Sequence, residues 1–131
     1  MLRDAFEVIQ SWGFTYKTCA FTWAKLNRSG VGFHFGMGYW TRSNPELCLL
    51  ATRGGPRRAG RGVPNLVVAA RREHSRKPDE VRDRIVALCG DLPRAELFAR
   101  EKVPNWQAWG NEVEPDFAMP EPLHAADTRS G

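Results

Sequence analysis

The first apolar pattern along the chain has a helical period. Ala5, Phe6, Ile9 and Trp12 recur within residues 3–12, and Gly13 is placed to stop a helix there. The pattern then turns aromatic and β-branched, and residues 14–23 read as a strand. Residues 25–38 carry Gly30, Gly32, Gly36 and Gly38 and read as a loop. A short apolar run, Glu46-Leu47-Cys48-Leu49-Leu50-Ala51-Thr52, predicts a buried strand, and Leu66-Val67-Val68-Ala69-Ala70 predicts the next. Between them, residues 54–62 are too rich in Gly and Arg for regular structure.

Pro78, Asp79 and Glu80 suit the first turn of a second helix. Val81, Ile85 and Leu88 line one face of it, and Gly90 ends it. Residues 95–99 read as a further strand, and residues 103–113 as an irregular aromatic stretch. Residues 114–131, with three prolines and few large apolar side chains, predict a disordered tail behind a domain of residues 1–113. The order helix, strand, strand, strand, helix, strand predicts an α/β fold, a sheet covered by helices on both faces.

With 131 residues there is room for one core, and a hydrophobic content of 42% excludes a disordered chain. There is no run of 18 apolar residues and no apolar stretch behind the first residues. A cytoplasmic protein without a membrane span is therefore expected. The first helix is under way by residue 2 with no cap or strand before it, which predicts a domain that has lost its beginning. Such a domain would be marginally stable, with strand edges and apolar faces uncovered.

Cys19, Cys48 and Cys89 are far apart and form no CxxC or CxxH pair, so no metal site is expected and the thiols are expected to be buried and inert. His34, His74 and His124 are equally scattered; a Cys–His pair stays open, with no spacing to support it.

Charge changes the picture more. The net charge is +4, but residues 53–77 hold eight bases against Glu73 alone, whereas the tail is acidic. A basic stripe on a balanced body points to a phosphate-bearing partner, with a solvated arginine-rich loop as the plain alternative.

Five segments, read in order, carry a resemblance. They are Phe35-Gly36-Met37-Gly38-Tyr39-Trp40-Thr41-Arg42, Glu46-Leu47-Cys48-Leu49-Leu50-Ala51-Thr52-Arg53-Gly54, His74-Ser75-Arg76-Lys77-Pro78-Asp79-Glu80, Glu96-Leu97-Phe98-Ala99-Arg100 and Asn105-Trp106-Gln107-Ala108-Trp109-Gly110-Asn111-Glu112. Together they are similar to the METTL-type (MT-A class) N6-adenine methyltransferases, with the first segment closest to bacterial and phage members. The likeness covers roughly residues 3–113.

The resemblance implies a Rossmann-like methyltransferase fold of permuted motif order, with S-adenosylmethionine as cofactor. It also implies a catalytic Asp-Pro-Pro-Trp motif upstream of the first helix, and these 131 residues contain none. The chain is accordingly expected to be the C-terminal part of such a domain, inactive by itself and completed by a missing N-terminal half or a partner subunit. By resemblance, Lys77, Phe98, Arg100, Asn111 and Glu112 are expected to bind the cofactor. Lys77 would approach its carboxylate end, and Asn111 and Glu112 its adenine.

Each of these residues has a plainer alternative. Phe98 would be core, Arg100 and Lys77 surface ion-pair partners, and Asn111 a turn residue. Trp106 and Trp109 would pack a sheet edge.

The same resemblance places residues 25–42 beside the acceptor nucleotide. Lys25, Arg28, Trp40 and Arg42 are then candidates for phosphate contact and base stacking, and Arg57, Arg58 and Arg61 for a salt-dependent grip on phosphates. Glu46 matches a family acid near the acceptor. Three readings follow. The first is an adenine methyltransferase acting on nucleic acid, DNA before RNA. The second is a non-catalytic nucleic-acid-binding relic or subunit of the same fold. The third is a stand-alone α/β domain without affinity for nucleic acid.

Overall fold

The strand expected over residues 14–23 extends from Thr15 to Leu26 (β1) in the computed structural model, which describes residues 1–73 and 76–119. It extends because its last residues have partners. Along β2 (Glu46–Thr52) it pairs antiparallel, from Thr15 opposite Thr52 to Trp23 opposite Glu46. With β3 (Leu66–Ala70) it pairs parallel, from Thr22 opposite Leu66 to Leu26 opposite Ala70. The result is a mixed three-stranded sheet in the order β2-β1-β3. Two register shifts in the β1–β2 ladder, between Tyr16 and Thr18 and between Cys19 and Phe21, mark irregularities where extra residues of β1 are accommodated.

One face of this sheet is covered. Phe21, Trp23 and Val67 are its buried centre, with Val81 and Ile85 of α2 (Glu80–Cys89) packed against them. The apolar stripe read from the sequence is thus the face α2 presents to the sheet. The Trp23 indole N–H is satisfied by the Ala69 carbonyl at 2.9 Å, which lets a large ring with a polar edge sit inside. The pleat sends Val67 inward, fully buried, while its neighbours Leu66 and Val68 stay about half exposed. Gly90 ends α2 at φ 89°, as its position predicted.

The first helix, α1 (Leu2–Ser11), ends in a turn through Gly13 at φ 78°, and the Phe6 ring meets Tyr16 of β1 edge to face at 4.8 Å. Only Ala5 and Ile9 of its apolar stripe are partly covered; Trp12 is exposed. Among the described residues no helix is long and apolar enough to cross a membrane.

The chain divides into two compact units, residues 1–91 and residues 92–131. In the second, β4 (Ala95–Leu97) pairs parallel with β5 (Gln107–Trp109), Glu96 lying opposite Ala108. The expected strand 95–99 stops at Leu97 because Phe98 turns into the left-handed region, φ 58°. β5 lies inside the stretch read as irregular. Ala99 and Ala108 are buried, and Gly110 is obligatory. A Cβ there would meet the Ala99 carbonyl oxygen at 2.8 Å and its nitrogen at 2.9 Å.

Two further expectations are corrected. Cys48 and Cys89 are exposed and only Cys19 is half-buried; Cys48 lies opposite Phe21 on the edge strand β2, at the rim of a hollow that Val81 also lines. The described strands form two sheets of three and two, not one. Asp116, in the stretch read as tail, accepts the Ala108 N–H at 2.9 Å and pairs with Lys102 at 2.6 Å. The hydrogen bond from Lys102, helped by that N–H, holds its carboxyl below the ordinary value. Residues 120–131 lie outside the described residues, as do His74 and Ser75 of the third resemblance segment.

Candidate functional site

The first unit assembles a charged cluster where β1 ends and β2 begins. Trp23 and Lys25 are two apart on β1 and share a face, and the Lys25 ammonium lies 5.3 Å from the Trp23 ring. Glu46 opens β2 opposite Trp23. Its two oxygens take separate cations, Lys25 Nζ at 2.8 Å on Oε1 and Lys77 Nζ at 2.5 Å on Oε2. Buried Pro78 follows Lys77, fixing the chain that delivers the second ammonium. Desolvation pushes the Glu46 carboxyl upward, but the hydrogen bonds and charges of Lys25 and Lys77 outweigh it and hold the group below its ordinary value. Glu46 is therefore ionised at neutral pH. It is a poor proton acceptor and a good anchor for two ammonium groups.

A polar cleft of about 130 Å³ opens beside it, lined by Trp23, Lys25, His34, Glu46, Arg71 and Arg72. Arg71 Nη1 lies 3.1 Å from His34 Nδ1. Partial burial, then the charges of Arg71, Lys25 and Arg42, lower the His34 pKa and keep the imidazole neutral. A guanidinium only donates, so Nδ1 accepts and the proton sits on Nε2. On the other side of Glu46 lies an apolar hollow of about 220 Å³, with Phe21, Leu47, Pro78 and Val81 in its walls. A cationic cleft and an apolar hollow sharing one carboxylate suit a ligand with an anionic part and a flat apolar part.

Between β1 and β2 the chain makes an arm, residues 27–45. Asn44 pins its base. The Asn44 Oδ1 accepts the Lys25 N–H at 3.2 Å, and its Nδ2 donates to the carbonyls of Lys25, at 2.9 Å, and His34. This one side chain imitates a strand partner for Lys25, and so ties the arm to the cluster. Farther out, Gly36 and Ser43 exchange two backbone hydrogen bonds. Trp40 at the tip is 91% exposed with φ 69°, a conformation that costs a bulky residue on the order of 1 kcal/mol or more. Arg42 donates to the Phe35 carbonyl at 3.0 Å.

The arginine-rich loop after β2 is irregular, as its composition predicted, but it is fixed at one point. Ala59 and Gly60 donate to the Leu88 carbonyl in the last turn of α2, and a Cβ on Gly60 would strike the Ala87 carbonyl oxygen at 2.3 Å. Arg57, Arg58 and Arg61 flank that point, exposed.

The structure thus distributes the candidates of the first unit. Lys25 and Lys77 come together on Glu46, Trp40 and Arg42 sit on the arm tip, and Arg57, Arg58 and Arg61 stand on the pinned loop. Arg28 is exposed at the arm's start. Sequence reasoning missed His34, Asn44 and Arg71 as parts of the cluster. Arg71 lay in the basic stripe, while nothing local marks His34 or Asn44.

In the second unit, the Phe98 ring is 75% exposed and stands edge to face on Trp109 at 5.5 Å. Arg100 Nε meets Glu112 Oε2 at 3.1 Å, which fixes that carboxylate, and Asn111 is exposed beside it. The tight approach at Gly110 holds the backbone of residues 98–99 against that of residue 110. An exposed aromatic ring with an amide and a fixed carboxylate matches what an adenosine offers, a flat face with ring nitrogens and an amino group. The donor set therefore fits the adenosine part of S-adenosylmethionine.

Comparison with known proteins follows the same lines. A family model described as MT-A70 matches residues 1–112. The chain is 38% identical over 106 residues to the type II methyltransferase M.MunI of Mycoplasma sp, covering 79% of this chain and 42% of that protein. It is 30% identical over 112 residues to the human N(6)-adenosine-methyltransferase catalytic subunit METTL3, and 31% identical over 112 residues to the METTL3 subunit of Danio rerio. Each of these two alignments covers 82% of this chain and 19% of the relative. The chain thus spans less than half the length of the curated relatives it matches.

Proposed function

The chain belongs to the MT-A70 family, and on that premise we propose that it serves S-adenosylmethionine-dependent methylation of adenine N6 in nucleic acid, DNA before RNA. The observation that carries this reading is Glu46 clamped between Lys25 and Lys77 beside the Trp23 ring. Preference for DNA is supported by the higher identity to M.MunI, a type II methyltransferase, than to the METTL3 proteins.

The reaction moves a methyl group onto N6 while N6 gives up a proton. Its requirements are an electrophilic methyl in line with the nitrogen and an amine whose lone pair is freed from the ring. The cofactor, when bound, supplies the electrophilic methyl. Binding and orientation fall to residues of this chain. Phe98 offers a face for the cofactor's adenine, Asn111 pairs with its edge, and Arg100 holds Glu112 in the orientation that accepts from its amino group. Lys77 offers an ammonium for an anionic group, and Glu46 keeps Lys25 and Lys77 placed without taking the proton itself. Arg57, Arg58 and Arg61 neutralise backbone phosphates irrespective of sequence. The Asp-Pro-Pro-Trp motif that the resemblance assigns to freeing the amine lone pair is not among these 131 residues.

Fluorescence anisotropy with DNA and RNA duplexes of one sequence tests the acceptor side. The expected result is binding that weakens steeply with salt and favours DNA. Equal affinities would remove the DNA preference, and no binding to either would contradict the nucleic-acid reading.

A further inference from the structure

We propose that the cup at the tip of the arm binds an unpaired nucleobase of the nucleic acid, other than the base to be methylated; this rests on the nucleic-acid reading above. The arm alternates. His34 and Gly36 are half-buried on its inner side, whereas Val31, Phe33, Phe35 and Met37 face solvent, 51% to 100% exposed. Apolar side chains alternating outward on a pinned hairpin are what a binding surface requires, and what a free-standing loop avoids.

At the tip these residues enclose a hollow of about 350 Å³. Phe35, Met37 and Trp40 form its walls, Gly36 and Gly38 its bare floor, and Arg42 its rim. The floor has to be bare at Gly38, because a Cβ there would lie 2.2 Å from the Thr41 carbonyl oxygen. Trp40 holds its ring in water on a left-handed backbone, φ 69°, edge to face with the Tyr39 ring at 6.3 Å. Burial does not explain that conformation, and strain retained at an exposed ring points to a ligand.

The cup is also built to keep its shape. The Gly36–Ser43 backbone pair closes the hairpin, and the Arg42 guanidinium, held by the Phe35 carbonyl, sits 6.0 Å from the Phe35 ring. Charge decides the occupant. Residues 27–45 contain Arg28 and Arg42 and no acid. A flat π-face next to negative charge is the chemistry of a nucleotide, and aromatic platforms flanked by cations bind it by stacking. A paired base has both faces covered within the duplex, so the cup takes a base outside the stack. Glu46 with Lys25 and Lys77 is a separate cluster, at the base of the arm.

The test compares a DNA duplex carrying one bulged base with a fully paired duplex of equal length, by anisotropy and tryptophan fluorescence of the full 131-residue chain. Trp40→Ala is expected to weaken the bulged duplex about tenfold and the paired one under about twofold, and to remove most of the quenching. Trp40→Phe keeps a ring and is expected to restore most of the affinity. The exposure of Trp40 makes both variants safe for folding.

Wild-type affinity for the bulged duplex in Trp40→Ala would overturn the proposal, as would an equal loss on both duplexes. A wild-type dimer that Trp40→Ala dissolves, without effect on DNA, would overturn it in favour of a protein partner. A wild-type chain that binds neither duplex defeats the nucleic-acid reading itself. Binding of both that is indifferent to Trp40 defeats the cup alone.

Discussion

The basic stripe between Arg53 and Lys77 is continuous in sequence and divided in space. Its second half is engaged. Arg71 holds His34, Arg72 lies 2.8 Å from Asp79, Arg76 lies 3.3 Å from Glu73, and Lys77 shares Glu46 with Lys25. Its first half makes no ion pair among the described residues, since Arg53, Arg57, Arg58 and Arg61 stand on a loop that contains no acid. The two halves carry equal numbers of bases and do different work. Engaged cations place one another and shape a cleft, and part of their charge is compensated by Glu46, Glu73 and Asp79. Free cations keep theirs for counterion release on a polyanion. A count of lysines and arginines does not separate the two.

Removing the free half should have the largest effect. Arg57→Ala, Arg58→Ala and Arg61→Ala together are expected to lower affinity for duplex DNA about a hundredfold at low salt. The slope of log affinity against log salt should fall by about two to three. Thermal stability should stay within roughly 0.5 kcal/mol, because these side chains are exposed. A stability loss with an unchanged salt slope would put these arginines in the structural class instead.

Disturbing the engaged half should show the opposite signature. Glu46→Ala leaves Lys25, whose side chain is only 21% exposed, without its counter-charge, and should cost about 1–2 kcal/mol in a denaturant melt. The salt slope for DNA should change little. A neutral effect on stability would mean that water replaces Glu46 without penalty.

The smallest effect is in pH. His34 and Glu46 both have folded pKa values lowered from their ordinary ones. Each therefore contributes stability that is complete above its unfolded pKa and lost as pH falls through the folded one. For His34 the loss begins below about pH 6.5, and for Glu46 only in the carboxylate range below about pH 4.5. His34→Gln should flatten the upper part of the acid titration of stability and Glu46→Gln the lower part. A stability that rises on acidification from pH 7 to 5 would contradict the assignment.

Much of the backbone was legible in the sequence. Residues 46–52 and 66–70 are strands at the bounds their apolar runs suggest, and Gly90 stops α2. Two of the errors share one cause, partners distant in sequence. β1 reaches Leu26 because Lys25 and Leu26 pair with Ala69 and Ala70. β5 is three residues, Gln107–Trp109, without a β-branched side chain; its pairing with β4 makes it a strand. The resemblance named Lys25, Glu46 and Lys77 one by one. What joins Lys25 to Lys77 was not legible, since Glu46 as the shared anion emerges only when β1, β2 and the start of α2 are brought together. Nor did composition distinguish exposed Cys48 from a buried thiol, because that depends on β2 being an edge strand with an open hollow beside Cys48.

The central claim is that this chain carries residues for both the cofactor and the nucleic acid. Titration calorimetry of S-adenosylmethionine into the folded 131-residue chain tests the cofactor side directly. The account predicts a dissociation constant on the order of micromolar, weakened about tenfold or more by Asn111→Ala. A chain that melts cooperatively and takes up no S-adenosylmethionine would contradict it, leaving a member of the family that holds nucleic acid without the cofactor.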